Sequence, residues 1–160
     1  MIFEYIQFKN YKPYYGEQAI QFNKPVDEFN PYNPNIILVG GLNGAGKTSL
    51  INSIFMCLYG RRFFSKVDFE HIVATSINKK HLSEGGNSSS VGLAFNDGEE
   101  RYLIELVFEK KSNKIEHTRH LYRFLENEER QEIATSDEEF NDFIDMFHSF
   151  LYLMQRRLEI

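Results

Sequence analysis

The residues Gly41-Leu42-Asn43-Gly44-Ala45-Gly46-Lys47-Thr48 concentrate the chemistry of this chain. Their types and spacing fit G-x-x-x-x-G-K-[ST], the phosphate-binding P-loop pattern. Glycines let a backbone turn tightly and bring several N–H groups onto one phosphate. A helix that starts immediately afterwards adds unpaired N–H groups and the positive end of its dipole. Lys47 would reach the β- and γ-phosphates of a nucleoside triphosphate as the catalytic cation, and the Thr48 hydroxyl would sit on Mg²⁺. That chemistry needs a strand before the loop and a helix after it. Asn35 to Val39 is a short apolar run of strand type, and Thr48 to Tyr59 reads as a helix. The alternative is a glycine-rich turn that caps a helix; the strand before the loop and the helix after it favour the nucleotide reading.

Other chemistries find less support. A complete P-loop ATPase needs an acidic residue on a second strand, typically after four apolar residues, to hold Mg²⁺ and polarise water. No such run is present. Phe150 to Met154 is comparable, but it ends in Gln155. Two explanations stand: the acidic strand lies elsewhere in a longer product or on another polypeptide, or the chain binds nucleotide without hydrolysis. The first is favoured. His71, His81, His117, His120 and His148 show no metal-ligand spacing, and His117 and His120 would fall on opposite faces of a strand. No serine or cysteine has a recognisable nucleophile arrangement.

The elements that must carry the loop are legible in outline. Ile2 to Phe8 reads as a strand, and Gln18 to Phe22 as a second, antiparallel to it across a connection punctuated by Pro13 and Gly16. Pro25, Pro31 and Pro34 break the next stretch into a loop. The helix after the P-loop places Leu50, Ile54 and Leu58 on one stripe beside Ile51 and Phe55. Gly60 fits a C-terminal cap, and Arg61-Arg62 fits either the helix dipole or a DNA contact. Val67 to Leu82 is weakly helical, and residues 84–90 form a glycine- and serine-rich loop. Val91, Leu93 and Phe95 alternate, Asn96-Asp97-Gly98 turns, and Tyr102, Ile104, Leu106 and Phe108 alternate again. A turn at Lys111-Ser112-Asn113 leads to Ile115 to Phe124, a polar strand that suits a sheet edge. Ser136 to Glu139 is a capping box, followed by Phe140, Phe143, Ile144 and Phe147 at helical spacing. Asp142 and Asp145 fall on the solvated face of that helix, and Phe150 to Met154 reads as a buried strand.

Length and composition set bounds. The chain has 160 residues, which suits one domain, and its net charge of −5 excludes a globally basic nucleic-acid binder. Fifteen phenylalanines and nine tyrosines supply core material. The single cysteine, Cys57, lies in an apolar helix, so no disulfide framework is expected and a reduced, cytoplasmic setting is the default. No apolar run approaches a membrane span, and the first residues lack a signal peptide's basic start.

Several segments together resemble a known group. Met1 to Phe22, with Asn10-Tyr11-Lys12-Pro13-Tyr14-Tyr15-Gly16, is similar to the opening of SMC-like and RecF-like ATPases. Val39 to Leu50, followed by Leu58-Tyr59-Gly60, resembles DndD, the SMC-like ATPase of bacterial DNA phosphorothioation systems. The resemblance implies an α/β P-loop NTPase fold: the N-terminal lobe of an ABC-ATPase-type head, with a mixed sheet and added antiparallel strands. It implies that ATP and Mg²⁺ bind, with Asn43, Gly44, Ala45, Gly46, Lys47, Thr48 and Ser49 cradling the phosphates. Lys12 stands where such proteins often place an arginine near the nucleotide. Gln155 stands near the place of the glutamine that completes Mg²⁺ coordination beside Thr48. Arg156-Arg157 is not the expected sequel to that glutamine, and the Asp-Gly-Glu that DndD-like chains tend to carry nearby is missing. Leu82-Ser83-Glu84-Gly85-Gly86 looks like the ABC-type signature, but that signature belongs far downstream, so a loop is expected.

In such proteins a long coiled coil follows, and a C-terminal half returns with the signature and acidic motifs. Residues 1–160 are therefore expected to be the N-terminal half of a head that stops near the start of the coiled coil. Implied partners are that C-terminal half, a second head that dimerises on ATP, DNA, and other DNA-modification proteins, with no membrane. The expected activity is ATP-driven head engagement in DNA processing, with DNA sulfur modification foremost. DNA repair, an anti-phage ATPase and a nucleotide-gated scaffold without turnover are the alternatives. A small-molecule P-loop kinase would need an arginine-bearing lid, and nothing reads as one.

Overall fold

The computed structural model describes residues 1–22, 39–134 and 136–157, with side chains described as far as Phe147. One antiparallel hairpin and a four-stranded antiparallel meander make one six-stranded sheet. Its strands are β1 (Ile2–Tyr11), β2 (Tyr14–Gln21), β3 (Ser88–Asn96), β4 (Arg101–Lys111), β5 (Lys114–Phe124) and β6 (Arg130–Ala134), in the order β2-β1-β3-β4-β5-β6. Every pairing among them is antiparallel. The helices are α1 (Lys47–Tyr59), α2 (Lys66–Ala74), α3 (Lys79–Ser83) and α4 (Asp137–Arg157), and a 3₁₀ turn, Gly60–Phe63, follows α1. Among the described residues, no helix is long and apolar enough to cross a membrane.

Alternation puts one apolar face on this sheet. Ile6, Phe8, Val91, Leu93, Phe95, Tyr102, Ile104, Leu106, Phe108 and Leu121 form one buried cluster with Leu50, Met56 and Cys57 of α1 and Phe140 and Ile144 of α4. A sheet covered on one side needs this period-two pattern. The same principle corrects the reading of β5 as an edge. Its polarity marks a solvated face, because β6 lies outside it and pairs Leu121 with Ala134 and Tyr122 with Glu132. β6 carries little apolar alternation of its own.

Two helix readings also change. The buried face of α1 centres on Leu50, Ser53, Met56, Cys57 and Leu58, while Ile51 is exposed. Ser53 is tolerated at zero exposure because its hydroxyl donates to the Leu50 carbonyl at 2.6 Å. The stretch Phe150 to Met154 is not a strand: α4 continues through it to Arg157. Its apolar residues extend the helical spacing of Phe140, Phe143, Ile144 and Phe147, which wins over a short strand of the same composition. Gln155 therefore lies in the last turn of a helix rather than after a strand. The expected strand before the P-loop, Asn35 to Val39, lies outside the described residues except for Val39, which is not in a strand, so the sheet among the described residues is antiparallel.

The capping box at the start of α4 is reciprocal. The Ser136 hydroxyl accepts from the Glu139 amide, and the Glu139 carboxylate accepts from the Ser136 amide, both at 3.2 Å. Gly60 caps α1 at φ 54°, where its N–H donates to the Met56 carbonyl.

Candidate nucleotide site

The site is built on the turn into α1. Gly44 has φ 84° and Gly46 φ 100°, both left-handed, and the Ala45 amide donates to the Leu42 carbonyl at 3.2 Å. Gly46 is the N-cap of α1, and the Leu50 amide donates to its carbonyl at 2.8 Å. The amides of Lys47, Thr48 and Ser49 precede that first helical bond and have no acceptor within the helix. The cap has no side chain, and the first turn of α1 has no acidic residue. The positive end of α1 is thus left for an outside anion.

Lys47 folds back across the loop. Its Nζ donates to the carbonyls of Gly41 at 2.6 Å and Leu42 at 2.8 Å. Those two bonds hold the ammonium over the turn that the glycines shape. Asn43, Gly44, Ala45 and Thr48 are exposed, and Ser49 is half-buried. The predicted cradle is therefore one contiguous turn, open to solvent.

Lys12 arrives from a different element. It sits at φ 50° in the two-residue tip between β1 and β2. Its neighbours Pro13 and Tyr14 pack against Gly46, and the Tyr14 hydroxyl donates to the Gly46 carbonyl at 3.1 Å. Lys12 itself donates through Nζ to Thr75 Oγ1 at 2.8 Å, and burial holds its pKa below the usual lysine range. A lysine depressed by burial carries its charge at lower cost beside an anion. The structure thus brings the neighbours of Lys12 to the loop, while the Lys12 ammonium itself is held at Thr75. Gln155 is placed by backbone alone, at the far end of α4.

The donor set fits a polyphosphate. It offers helix-start amides, one ammonium and glycines whose conformation side chains rarely adopt. For a divalent ion the described residues supply the Thr48 hydroxyl, and they contain no group of three or more His, Cys, Asp or Glu that could hold a metal. Bound Mg²⁺ would offset phosphate charge, with Thr48 as its protein ligand in this turn.

Sequence reasoning missed two residues here. Tyr14 was read as part of the connection between the first two strands, whereas it opens β2, and nothing in its spacing pointed at the loop. Arg119 was read as one more polar residue of β5. It is 7% exposed and reaches the opposite end of α1, where it lines a cleft of about 330 Å³ with Tyr59, Arg61, Arg62, Asp137 and Asn141. Arg62 is paired there with Asp145 at 2.9 Å, which places Asp145 in an ion pair on the solvated face.

Comparison with known proteins gives the family. The family model described as "AAA domain" matches residues 5–158. The chain is 33% identical over 81 residues to a DNA double-strand break repair Rad50 ATPase of Methanosarcina acetivorans, which covers 51% of this chain and 7% of that protein. It is 35% identical over 77 residues to the protein of the same name from Methanosarcina mazei, covering 48% of this chain and 6% of that one. The matched region is a small fraction of each relative's length.

Proposed function

The chain belongs to the AAA domain family of P-loop ATPases, and from that premise we propose that it is the ATP-binding part of an SMC-like ATPase that acts in DNA processing. The observation that carries this reading is the uncapped start of α1, opened by left-handed Gly46 and spanned by the Lys47 ammonium. On binding, Lys47 exchanges its two carbonyl partners for β- and γ-phosphate oxygens. The amides of Lys47, Thr48 and Ser49 would donate to the same phosphates, Thr48 would hold Mg²⁺, and Lys12 would add positive charge from the hairpin tip. Gln155 is the second metal position of this proposal.

Hydrolysis requires an acidic residue to orient water, which the first turn of α1 does not offer. We assign that residue, and the signature motif, to a C-terminal half of the same head. ATP then engages two heads on DNA. The two Rad50 relatives favour a repair pathway, and the Gly40-Gly41-Leu42 and Leu58-Tyr59-Gly60 flanks favour DNA phosphorothioation. Both pathways use the same site chemistry.

The deciding experiment is calorimetry with ATP and Mg²⁺ on the full-length protein and its Lys47→Ala variant. Binding lost by at least about 100-fold in the variant is expected, given two or more charge-assisted bonds. Unchanged affinity would refute the site. Turnover by residues 1–160 alone should be negligible and should rise when the C-terminal half is added. Rapid hydrolysis by residues 1–160 would defeat the split-site proposal.

A further inference from the structure

We infer that Tyr14 is a positioning residue of the phosphate loop, whose hydroxyl and ring hold the Gly46 peptide so that the Lys47 amide faces the bound phosphate. The inference rests on the nucleotide-binding reading of residues 41–48.

The geometry comes from three contacts. The Tyr14 hydroxyl donates to the Gly46 carbonyl at 3.1 Å. That carbonyl also accepts the first helical bond, from Leu50 at 2.8 Å, so both of its lone pairs are used. A Cβ on Gly46 would lie 2.8 Å from the Tyr14 hydroxyl and 2.9 Å from Pro13 Cγ, which shows how closely the hairpin tip abuts the loop.

A trans peptide is planar, with its C=O and the following N–H pointing in opposite directions. Fixing the Gly46 carbonyl therefore fixes the direction of the Lys47 N–H. That amide is one of the donors that the helix start offers an anion.

Tyr14 can hold this direction because it is itself held. Its ring stacks on Phe8 at 4.1 Å with planes 10° apart, and Phe8 is 2% exposed. The tip is braced from its other side as well. The Lys12 amide donates to the Ser76 carbonyl at 2.9 Å, and Asn78 Nδ2 donates to the Lys12 carbonyl at 2.5 Å. Burial raises the Tyr14 pKa, so the phenol remains a neutral donor.

The test is Tyr14→Phe in the full-length protein, with Lys47→Ala as reference. Tyr14→Phe keeps the ring on Phe8 and removes one hydrogen bond. ATP affinity should fall about three- to ten-fold, the worth of one such bond. KM for ATP should rise by the same factor with kcat unchanged, the mark of lost uniform binding. The folded fraction, followed by circular dichroism at the same temperature, should match wild type. Unchanged ATP affinity in Tyr14→Phe, alongside binding abolished by Lys47→Ala, overturns the inference and leaves the nucleotide site standing. Weakening that follows only a loss of folded protein also overturns it, because the role is then structural. Binding retained by Lys47→Ala removes the nucleotide reading and this inference together.

Discussion

The Arg119 guanidinium donates to the Cys57 carbonyl at 3.3 Å and so closes the last turn of the helix that begins at the P-loop. The same Nη1 lies 3.4 Å from the Leu58 carbonyl, and Nη2 meets Asp137 Oδ1 at 2.7 Å. The guanidinium also lies 4.0 Å from the Phe140 ring centroid. Burial lowers the Arg119 pKa and Asp137 opposes it, but arginine stays charged in either case. The helix carbonyls, the carboxylate and the ring together offset the cost of taking that charge out of water.

Arg119→Met should therefore destabilise by about 1–3 kcal/mol, since the terminal carbonyls of α1 lose their donor while Asp137 remains solvated. Arg119→Lys should not restore it, because one ammonium cannot meet both carbonyls and the carboxylate in a planar fork. Urea unfolding measures both. Full rescue by lysine would mean that charge alone matters at this position. Gly60→Ala should act on the same joint, since Gly60 has φ 54° and an added Cβ would sit 3.0 Å from Arg119 Nη1. A loss of about 1 kcal/mol or more is expected.

Glu4 supplies a pH-dependent term. Its side chain is 15% exposed and lies 3.0 Å from Arg101 Nη2. Asn96 Nδ2 donates to it at 2.9 Å. Burial pushes its pKa up, but the hydrogen bonds from Arg101 and Asn96 and the Arg101 charge outweigh that and leave it below the usual carboxylate value of 4.5. A depressed carboxylate stabilises the fold above its unfolded pKa and loses that contribution as pH falls through the folded one. Glu4→Gln should thus cost about 1–2 kcal/mol at neutral pH, and the gap to wild type should narrow as the pH is taken below 4.5. A gap that is constant across that window would remove the ion pair as its cause.

Cys57 reports on the same end of α1. It has zero exposure, and burial pushes its thiol up to about 12 against the opposing Arg119 charge. A buried, protonated thiol is unreactive. Folded protein should resist a disulfide reagent at about pH 8 and label only at the rate at which this region opens. Immediate labelling under native conditions would show that the joint between α1 and β5 opens locally. Because Cys57 is the single cysteine, the readout needs no background correction.

Much of the architecture was legible because it is local. The two hairpins, the capping box at Ser136 and Glu139, and the Gly60 cap each depend on residues close in sequence. The box and the cap appear as read, while the hairpin strands run longer than read, β2 beginning at Tyr14 rather than Gln18 and β3 at Ser88 inside the expected loop. The P-loop turn was legible for the same reason. What escaped depends on distant neighbours. β5 looked like an edge because its solvated face is polar, and only its pairing with β6 shows otherwise. Phe150 to Met154 has a composition that suits strand or helix, and the amphipathic spacing begun at Phe140 decides it. Tyr14 and Arg119 act across 32 and 62 residues of sequence, on Gly46 and Cys57 respectively, and no spacing rule reaches that far.

Gly46 is where the hairpin, the loop and the helix meet, so it gives the sharpest single substitution. At φ 100° an alanine is strained whatever the space, and here its Cβ would also press on the Tyr14 hydroxyl and Pro13 Cγ. Gly46→Ala has two ways to respond. It can keep the backbone and displace the hairpin tip, or abandon the left-handed conformation and turn the Lys47 amide away. The tip is pinned by the Phe8 stack, by the bond from the Lys12 amide to the Ser76 carbonyl and by the bond from Asn78 to the Lys12 carbonyl, so the loop should give way. Stability should then fall by only about 1–3 kcal/mol, the scale of one strained residue, while ATP binding is lost altogether. Gly44→Ala makes the control. Gly44 has φ 84° with nothing within 4 Å of an added Cβ, so it carries the backbone strain without the collision. Gly46→Ala should therefore be the more damaging of the two for both stability and nucleotide affinity. Equal effects from the two variants would mean that strain alone governs the loop and that the hairpin tip contributes nothing.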